Sequence, residues 1–308
     1  MSTVSVLGSV NIDLVVKVPS LPRPGDTVLG DKLLSVGGGK GANQAAAAAR
    51  LGARVKMVAR FGDDAFGHQL LEELEGDAVD VLYAFDLDAP SGAALIVVDD
   101  RGQNLVAVAP GANAKIDGDD VARFARLLRP GDVAVLQLEI PVEAVEAAVA
   151  AAQEARAVVV LNAAPADALI SREPPAVDVL IVNEGEARAL TGDDDVQSAA
   201  ARLAQRAGSV IVTLGERGAL LRSRAGASHI EAFSVKAVDT TAAGDAFVGG
   251  VAAGLSFGLP IDDAARLGSA AGAAAATKVG ARDSLPYPDD LKRMFGIDMA
   301  AWRARGRR

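Results

Sequence analysis

No cysteine occurs among the 308 residues, which excludes both a disulfide framework and a thiolate metal site. Histidine is scarce too. His68 and His229 are far apart with no partner at ligand spacing, so each reads as a surface or hydrogen-bonded histidine. Aromatic residues make up 4% of the chain, which leaves few rings for stacking on a base. No apolar run reaches the ~20 residues that span a bilayer. The alanine-rich segments Ala42 to Ala49 and Ala270 to Ala276 are short and punctuated by Gln44, Arg50 and Lys278, and read as close-packed helices. The opening MSTVSVLGSV has neither a basic n-region nor an A-x-A-like cleavage site, so a cytoplasmic protein is expected. Net charge is −9 and the pI is near 4.9, which argues against nucleic acid or an anionic membrane as partner. The locally basic stretch from Trp302 to Arg308 reads as a solvated, frayed tail.

What is present is apolar: half the residues are hydrophobic, enough for a sizeable core in one large α/β domain or two small ones. The stretch Asp239 to Gly250, DTTAAGDAFVGG, organises the rest. Phe233 to Val238 reads as a strand end and Ala246 to Leu255 as an apolar helix, with Ala242, Ala243 and Gly244 as the turn between. Small side chains leave the amides of a first helical turn uncovered, and such a turn suits a phosphate or the charge developing on one. Asp245 sits in that turn, where an acid is also a common helix-start residue. Thr240 and Thr241 already offer caps, so the Ala-Ala-Gly run points to a close approach to backbone.

From the amino end, Val4 to Leu7 reads as a buried strand. In the alternating stretch Asn11 to Val18, Asn11 and Asp13 share one face, which either meets water or meets a ligand. Thr27 to Val36 reads as short strands leading into GGGKGANQ, Gly37 to Gln44, which opens a helix to Leu51. This is no P-loop, because neither Ser nor Thr follows Lys40 and the glycine spacing is wrong. It does fit G-x-G-x-x-A at Gly37, Gly39 and Ala42, with Asp63 or Asp64 roughly 20 residues on, so a Rossmann-type dinucleotide-binding oxidoreductase is a rival reading. Lys40 and Asn43 suit a hydroxyl-rich ligand instead, since glycines admit it closely and Asn43 can donate and accept. Ala93 to Val98 and Leu105 to Val108 read as a hairpin.

From Asp117 onward, strands and helices alternate as in a parallel sheet covered on both faces. Glu139, Asn183 and Gly215 each follow an apolar strand and therefore share one rim, where open α/β sheets bind ligands. Asn183 and Glu186 face the same side of a helix. Glu139 is equally a candidate cap for the helix after Pro141.

These residues resemble a known family, the PfkB sugar kinases, over nearly the whole chain. The resemblance rests on GSVNID (Gly8 to Asp13), LPRPGDT (Leu21 to Thr27), GGGKGANQA (Gly37 to Ala45), FGDDAFG (Phe61 to Gly67) and GAALIV (Gly92 to Val97). It continues through PGAN (Pro110 to Asn113), LQLEIP (Leu136 to Pro141), VNEGEA (Val182 to Ala187), TLGERG (Thr213 to Gly218) and DTTAAGDAF (Asp239 to Phe247). It implies a three-layer α/β/α sandwich with a mostly parallel central sheet and a small β lid formed by about 11–36 and 92–109, in one kinase domain over 1–308.

The activity implied is ATP-dependent phosphorylation of a primary sugar hydroxyl, with O5 of D-ribose the nearest match; deoxyribose, fructose and adenosine are alternatives, and sugar binding without catalysis is another. Asp245 would be the base, with the amides at Ala242, Ala243 and Gly244 as an anion hole. Asn11, Asp13, Gly39, Lys40, Asn43 and Glu139 would hold the sugar. Asn183 and Glu186 would organise Mg²⁺ and phosphates through water, and Asn183, Thr213, Gly215 and Gly218 would line the nucleotide site. A K⁺ loop would use Asp239, Thr241, Ala275, Lys278, Gly280 and Ser284. Lys278 stands where the family often has Arg, a departure that a backbone-carbonyl ligand tolerates. Pairing of two lids would give a homodimer.

Overall fold

The computed structural model describes residues 2–170 and 172–306. The first third of the chain holds β1 (Thr3–Leu7), β2 (Asn11–Val18), β3 (Leu33–Gly38), α1 (Lys40–Arg50), β4 (Arg54–Gly62), α2 (Ala65–Gly76), β5 (Val79–Asp86), β6 (Gly92–Asp99) and β7 (Asn104–Ala109). Then come α3 (Gly118–Leu127), β8 (Val133–Leu136), α4 (Val142–Glu154), β9 (Val158–Asn162), β10 (Val177–Asn183), α5 (Glu184–Thr191), α6 (Val196–Leu203) and β11 (Ala207–Thr213). The remainder holds β12 (Ala219–Ser223), β13 (Gly226–Ile230), α7 (Ala243–Ser256), α8 (Ile261–Ala275), α9 (Pro288–Phe295) and α10 (Met299–Arg305).

Nine strands form the central sheet in the order β13-β12-β11-β10-β9-β8-β1-β4-β5. From β5 to β11 every pairing is parallel. The strands are apolar on both faces, and the two-residue period divides them between two cores. Val4, Val6, Val133, Val135 and Ile181 pack under α1, α2, α7 and α8. Leu7, Leu136, Leu161, Val182 and Val212 pack under α3 to α6. The result is a three-layer α/β/α sandwich. A second, four-stranded sheet, β3-β2-β6-β7, stands apart from it.

Four sequence expectations fail. Phe233 to Val238 forms no strand: β13 is the edge of the sheet, and the chain must leave that edge for the start of α7, guided by the Val238 and Asp239 N–H groups donating to the Ala276 carbonyl. Strict alternation also breaks, because β12 and β13 form an antiparallel hairpin beside β11. Between Thr27 and Lys32 there is no strand, and pairing resumes at Leu33. The basic tail is packed rather than frayed through Arg305: Trp302 is buried, and the Arg303 guanidinium donates to the Leu51 carbonyl at 3.0 Å. Residues 307–308 of that tail lie outside the described residues. Among the described residues no helix is long and apolar enough to cross a membrane.

The alanine and glycine content of α1, α7 and α8 lets three helices approach closely. A Cβ on Gly249 would lie 2.5 Å from the Ala47 Cβ, and one on Gly250 would lie 2.8 Å from the Gly268 Cα. Both faces of α7 are thus held against neighbouring helices with no room for a side chain. Gly250→Leu is expected to destabilise the fold by about 1–3 kcal/mol through overpacking, read as a lower urea midpoint at unchanged slope; an unchanged midpoint would mean that α7 and α8 can separate freely.

Candidate active site

Because the central strands are parallel, their carboxyl ends open on one rim. Ser9 follows β1, Gln137 and Glu139 follow β8, Asn162 ends β9, and Asn183 ends β10 beside Thr213 of β11. The amino ends of α1 and α7 meet over this rim. Asp245, in the first turn of α7, is 8% exposed. Its Oδ2 accepts from Asn43 Nδ2 and its Oδ1 from Gln44 Nε2, each at 3.0 Å.

Asn11 and Asp13 are buried, so the face they share does not meet water. Asn11 Oδ1 accepts from Asn113 Nδ2 at 2.8 Å. Asp13 lies against the backbone of β3: a Cβ on Gly38 would come within 2.3 Å of its carboxylate. Gly39 has φ +87, and a Cβ there would sit 2.7 Å from the Asn11 N. At Gly39 the positive φ and the approach of β2 call for glycine whatever the ligand, and at Gly38 the Asp13 carboxylate takes the space a Cβ would fill.

Glu139 is not the cap of α4, whose first position belongs to Pro141. Its Oε2 instead accepts from the Ser9 hydroxyl at 2.6 Å and from the Lys40 N–H at 3.0 Å, capping α1, whose own Gly39 supplies no side chain. Thr240 and Thr241 do not cap α7 either. The Thr241 hydroxyl donates to Asp239, and the Ala243 N–H donates to the Thr240 carbonyl at 3.1 Å. Of the Ala242–Gly244 turn, Gly244 is the open position, since an added Cβ would meet nothing within 4 Å.

The charges converge. Burial opposes the Lys40 ammonium, yet Asp245, Glu139, Glu186 and Asp13 together hold its pKa above the usual lysine value. Burial pushes the Asp245 carboxyl up, with Lys40 and the amides of Asn43 and Gln44 opposing. Glu186 is raised by burial as well, against the Asn183 N–H and Lys40. Asp13 is pushed up to about 7, first by burial and then by Glu139, with Arg282 and Lys40 pulling the other way.

Asn183 and Glu186 form a reciprocal capping box on α5, each N–H donating to the other's side chain at 2.8 Å. Thr213 closes β11, its hydroxyl 3.4 Å from the Val182 carbonyl. Gly215 and Gly218 both take positive φ. A Cβ on Gly218 would strike the Ile230 carbonyl at 2.1 Å, whereas one on Gly215 would meet nothing. Farther along the same rim Asp239 ties two loops together: it accepts from the Thr241 N–H and from the Gly280 N–H, each at 2.9 Å. Ala275 ends α8 close by and accepts the Lys278 N–H at 3.0 Å. The Lys278 ammonium reaches Asp290 at 3.0 Å, and Ser284 is buried with its hydroxyl donating to the Ala281 carbonyl at 2.8 Å.

The pfkB family carbohydrate kinase pattern matches residues 1–288. The chain belongs to the PfkB carbohydrate kinase family. It is 38% identical to a ribokinase of Haemophilus influenzae over 291 residues, 92% of this chain and 95% of that one. A crystal structure of ribokinase from Thermotoga maritima superposes with a TM-score of 0.87 at 34% identity, covering 96% of this chain and 100% of its own. Arabidopsis thaliana ribokinase complexed with ribose and ATP gives a TM-score of 0.83 at 28% identity, covering 97% and 100%.

Membership of the PfkB family and the geometry together overturn the Rossmann alternative. The strand before Gly39 belongs to the small sheet, and Asp64 caps α2 and binds Ser91 rather than standing free at a strand end. Sequence reasoning also missed residues inside its own motifs: Ser9, Gln44, Asn113 and Gln137 all lie in stretches singled out above. Arg282 carried no such signal. It is 4% exposed, pairs with Glu73 at 3.1 Å, and faces Asp13 electrostatically.

The raised Asp13 carboxyl has a stability consequence. Its unfolded value is 3.8 and its folded value about 7, so across that window the folded chain holds a proton the unfolded chain releases, and this contribution falls as pH rises. Asp13→Asn removes it. Denaturation midpoints are expected to show the variant gaining on the parent chain between about pH 4 and about pH 7; a difference independent of pH would contradict the raised value.

Proposed function

We propose that this chain transfers the γ-phosphoryl group of ATP to O5 of D-ribose, giving ADP and ribose 5-phosphate. The observation that carries the reading is Asp245, a buried carboxylate at a helix amino end with raised proton affinity, oriented through both oxygens by Asn43 and Gln44. The ribose hydroxyl oxygen bonds to the γ-phosphorus as its proton passes to Asp245, and the bond from that phosphorus to the leaving oxygen of ADP breaks. A positioned base with raised proton affinity and charge stabilisation by uncovered amides serve phosphoryl transfer. The amides of the Ala242, Ala243 and Gly244 turn serve that charge, with Gly244 the most accessible.

Asn11, Asp13, Gly39, Lys40, Asn43 and Glu139 hold the sugar. The amide nitrogen of Asn43 is committed to Asp245, while its buried oxygen has no protein partner, so Asn43 serves as an acceptor for a hydroxyl. Asn183, Thr213, Gly215 and Gly218 line the nucleotide site.

Lys40 is the cation facing Asp13, Glu139, Glu186 and Asp245 at once, too little positive charge for a triphosphate. Mg²⁺ carried by the phosphates supplies the rest, with Asn183 and Glu186 holding it through water; no cluster of three His, Asp or Glu suited to direct ligation exists among the described residues. K⁺ would lie between the loops that Asp239 joins, held by Asp239, the carbonyls of Thr241, Ala275 and Gly280, and the Lys278 and Ser284 positions. The Lys278 ammonium is engaged by Asp290, so it does not compete for that place.

In this reading residues 1–308 form one cytoplasmic kinase domain, with a lid at about 11–36 and 92–109. The small sheet exposes Leu33, Leu34, Leu95, Leu105, Val106 and Val108, apolar surface that a second lid would cover in a homodimer.

The test is ADP release from ATP with D-ribose, deoxyribose, fructose and adenosine, at saturating Mg²⁺ and fixed ionic strength, as K⁺ replaces a bulky organic cation. D-ribose is expected to give the highest kcat/KM, with a several-fold rise in K⁺ that vanishes in Asp239→Ala. Preference for adenosine would overturn the sugar assignment, and a flat K⁺ response would leave Asp239 as a tie between two loops.

A further inference from the structure

We infer that Gln44 is a positioning residue for Asp245, its amide locked in a single orientation by a chain of buried amides that begins at the backbone of β10. The inference rests on the reading of Asp245 as the base. The chain starts at the Ile181 carbonyl, which can only accept. Asn162 donates to it through Nδ2 at 3.1 Å, which leaves Asn162 Oδ1 facing α1 as an acceptor. Gln44 Nε2 donates to that oxygen at 3.0 Å and to Asp245 Oδ1 at 3.0 Å. Gln44 Oε1 points the other way and accepts from Gln137 Nε2 at 2.8 Å.

Gln44 and Gln137 are at most 1% exposed and Asn162 is 8% exposed, so both ends of the Gln44 amide depend on protein partners, while Gln137 Oε1 is left without one. Turning the Gln44 amide over would press its oxygen against Asp245 Oδ1 and Asn162 Oδ1 while facing its nitrogen to the Gln137 nitrogen. Every contact would become like against like, and buried polar groups left unpaired are costly. One arrangement therefore survives, and it aims a donor at the carboxylate. With Asn43 on Oδ2, the plane of the Asp245 carboxylate is fixed, and so is the direction from which it accepts a proton. The charged groups facing Asp245 are Lys40, Glu139, Glu186 and Asp13; none of them belongs to the amide chain.

Gln44→Met keeps the length of the side chain and removes its polar atoms. Using the full chain with ATP, Mg²⁺ and D-ribose, kcat is expected to fall about 10-fold or more, as for a lost hydrogen bond to a charged group, while calorimetric sugar affinity stays within about 2-fold. Loss of a donor that favours the ionised carboxylate also moves the acid limb of kcat to higher pH. Gln137→Leu, which frees one end of the Gln44 amide, lowers kcat less. Combined with Gln44→Met it adds nothing, because both act through one contact. A folded Gln44→Met with unchanged kcat, an unmoved acid limb, or additive losses in the double variant would each overturn the inference. Where Gln44→Met does not fold, Gln137→Leu alone decides: lowered kcat at unchanged sugar affinity supports the chain, and unchanged kcat overturns it. Asp245→Asn measured alongside separates the two levels. Full turnover in Asp245→Asn defeats the reading of the base, whereas lost turnover there with normal kcat in Gln44→Met defeats only the role of Gln44.

Discussion

Everything at this site depends on α1 and α7 lying closer than side chains normally allow. Where α7 crosses α1, Gly249 faces Ala47 and the backbone of Gln44 with no room for a Cβ. One turn toward the amino end of α7, that contact leaves Asp245 within reach of both Asn43 and Gln44. A larger residue at Gly249 would move the carboxylate from its donors before it disturbed the sheet. The alanine runs that read as close-packed helices are thus the means by which two helix amino ends, each with partial positive charge, are brought over one rim.

Electrostatics follows from that placement. Asp13, Glu139, Glu186 and Asp245 surround a single ammonium at Lys40. Burial raises the proton affinity of Asp13, Glu186 and Asp245, and Glu139 is drawn into capping α1. Such a cluster repels a bare phosphate, which is why the proposed transfer pairs a neutral polyol with a nucleotide that brings its own cation. The same balance keeps carboxylate acceptors in a pocket where apolar lining would reject a sugar.

The sandwich was legible because its strands are continuous apolar runs and the ends of parallel strands must share a rim. Glu139 and Gly215 follow β8 and β11, and Asn183 ends β10, as that rule requires. β13 escaped because it is largely exposed and carries no apolar run, and Phe233 to Val238 looked like a strand although there the chain leaves the edge strand β13 for the start of α7 and pairs with no strand. At the site, residue type and order pointed to Asp245, Asn43 and Asp13, which the fold brings together. The partners of Gln44 lie 93 to 201 positions away in sequence, and the Glu73 partner of Arg282 is equally remote at 209. No local period encodes such contacts. Amides in a motif announce polarity but not direction, which only the backbone carbonyl of Ile181 decides.

In the proposed transfer the chemistry runs through Asp245, and sugar affinity does not. Single-turnover phosphoryl transfer in Asp245→Asn, paired with calorimetric titration of D-ribose, tests it most directly. The account predicts that the transfer rate falls by at least ~10²-fold while ribose still binds with nearly unchanged affinity. Transfer at a near-normal rate with ribose bound would contradict it.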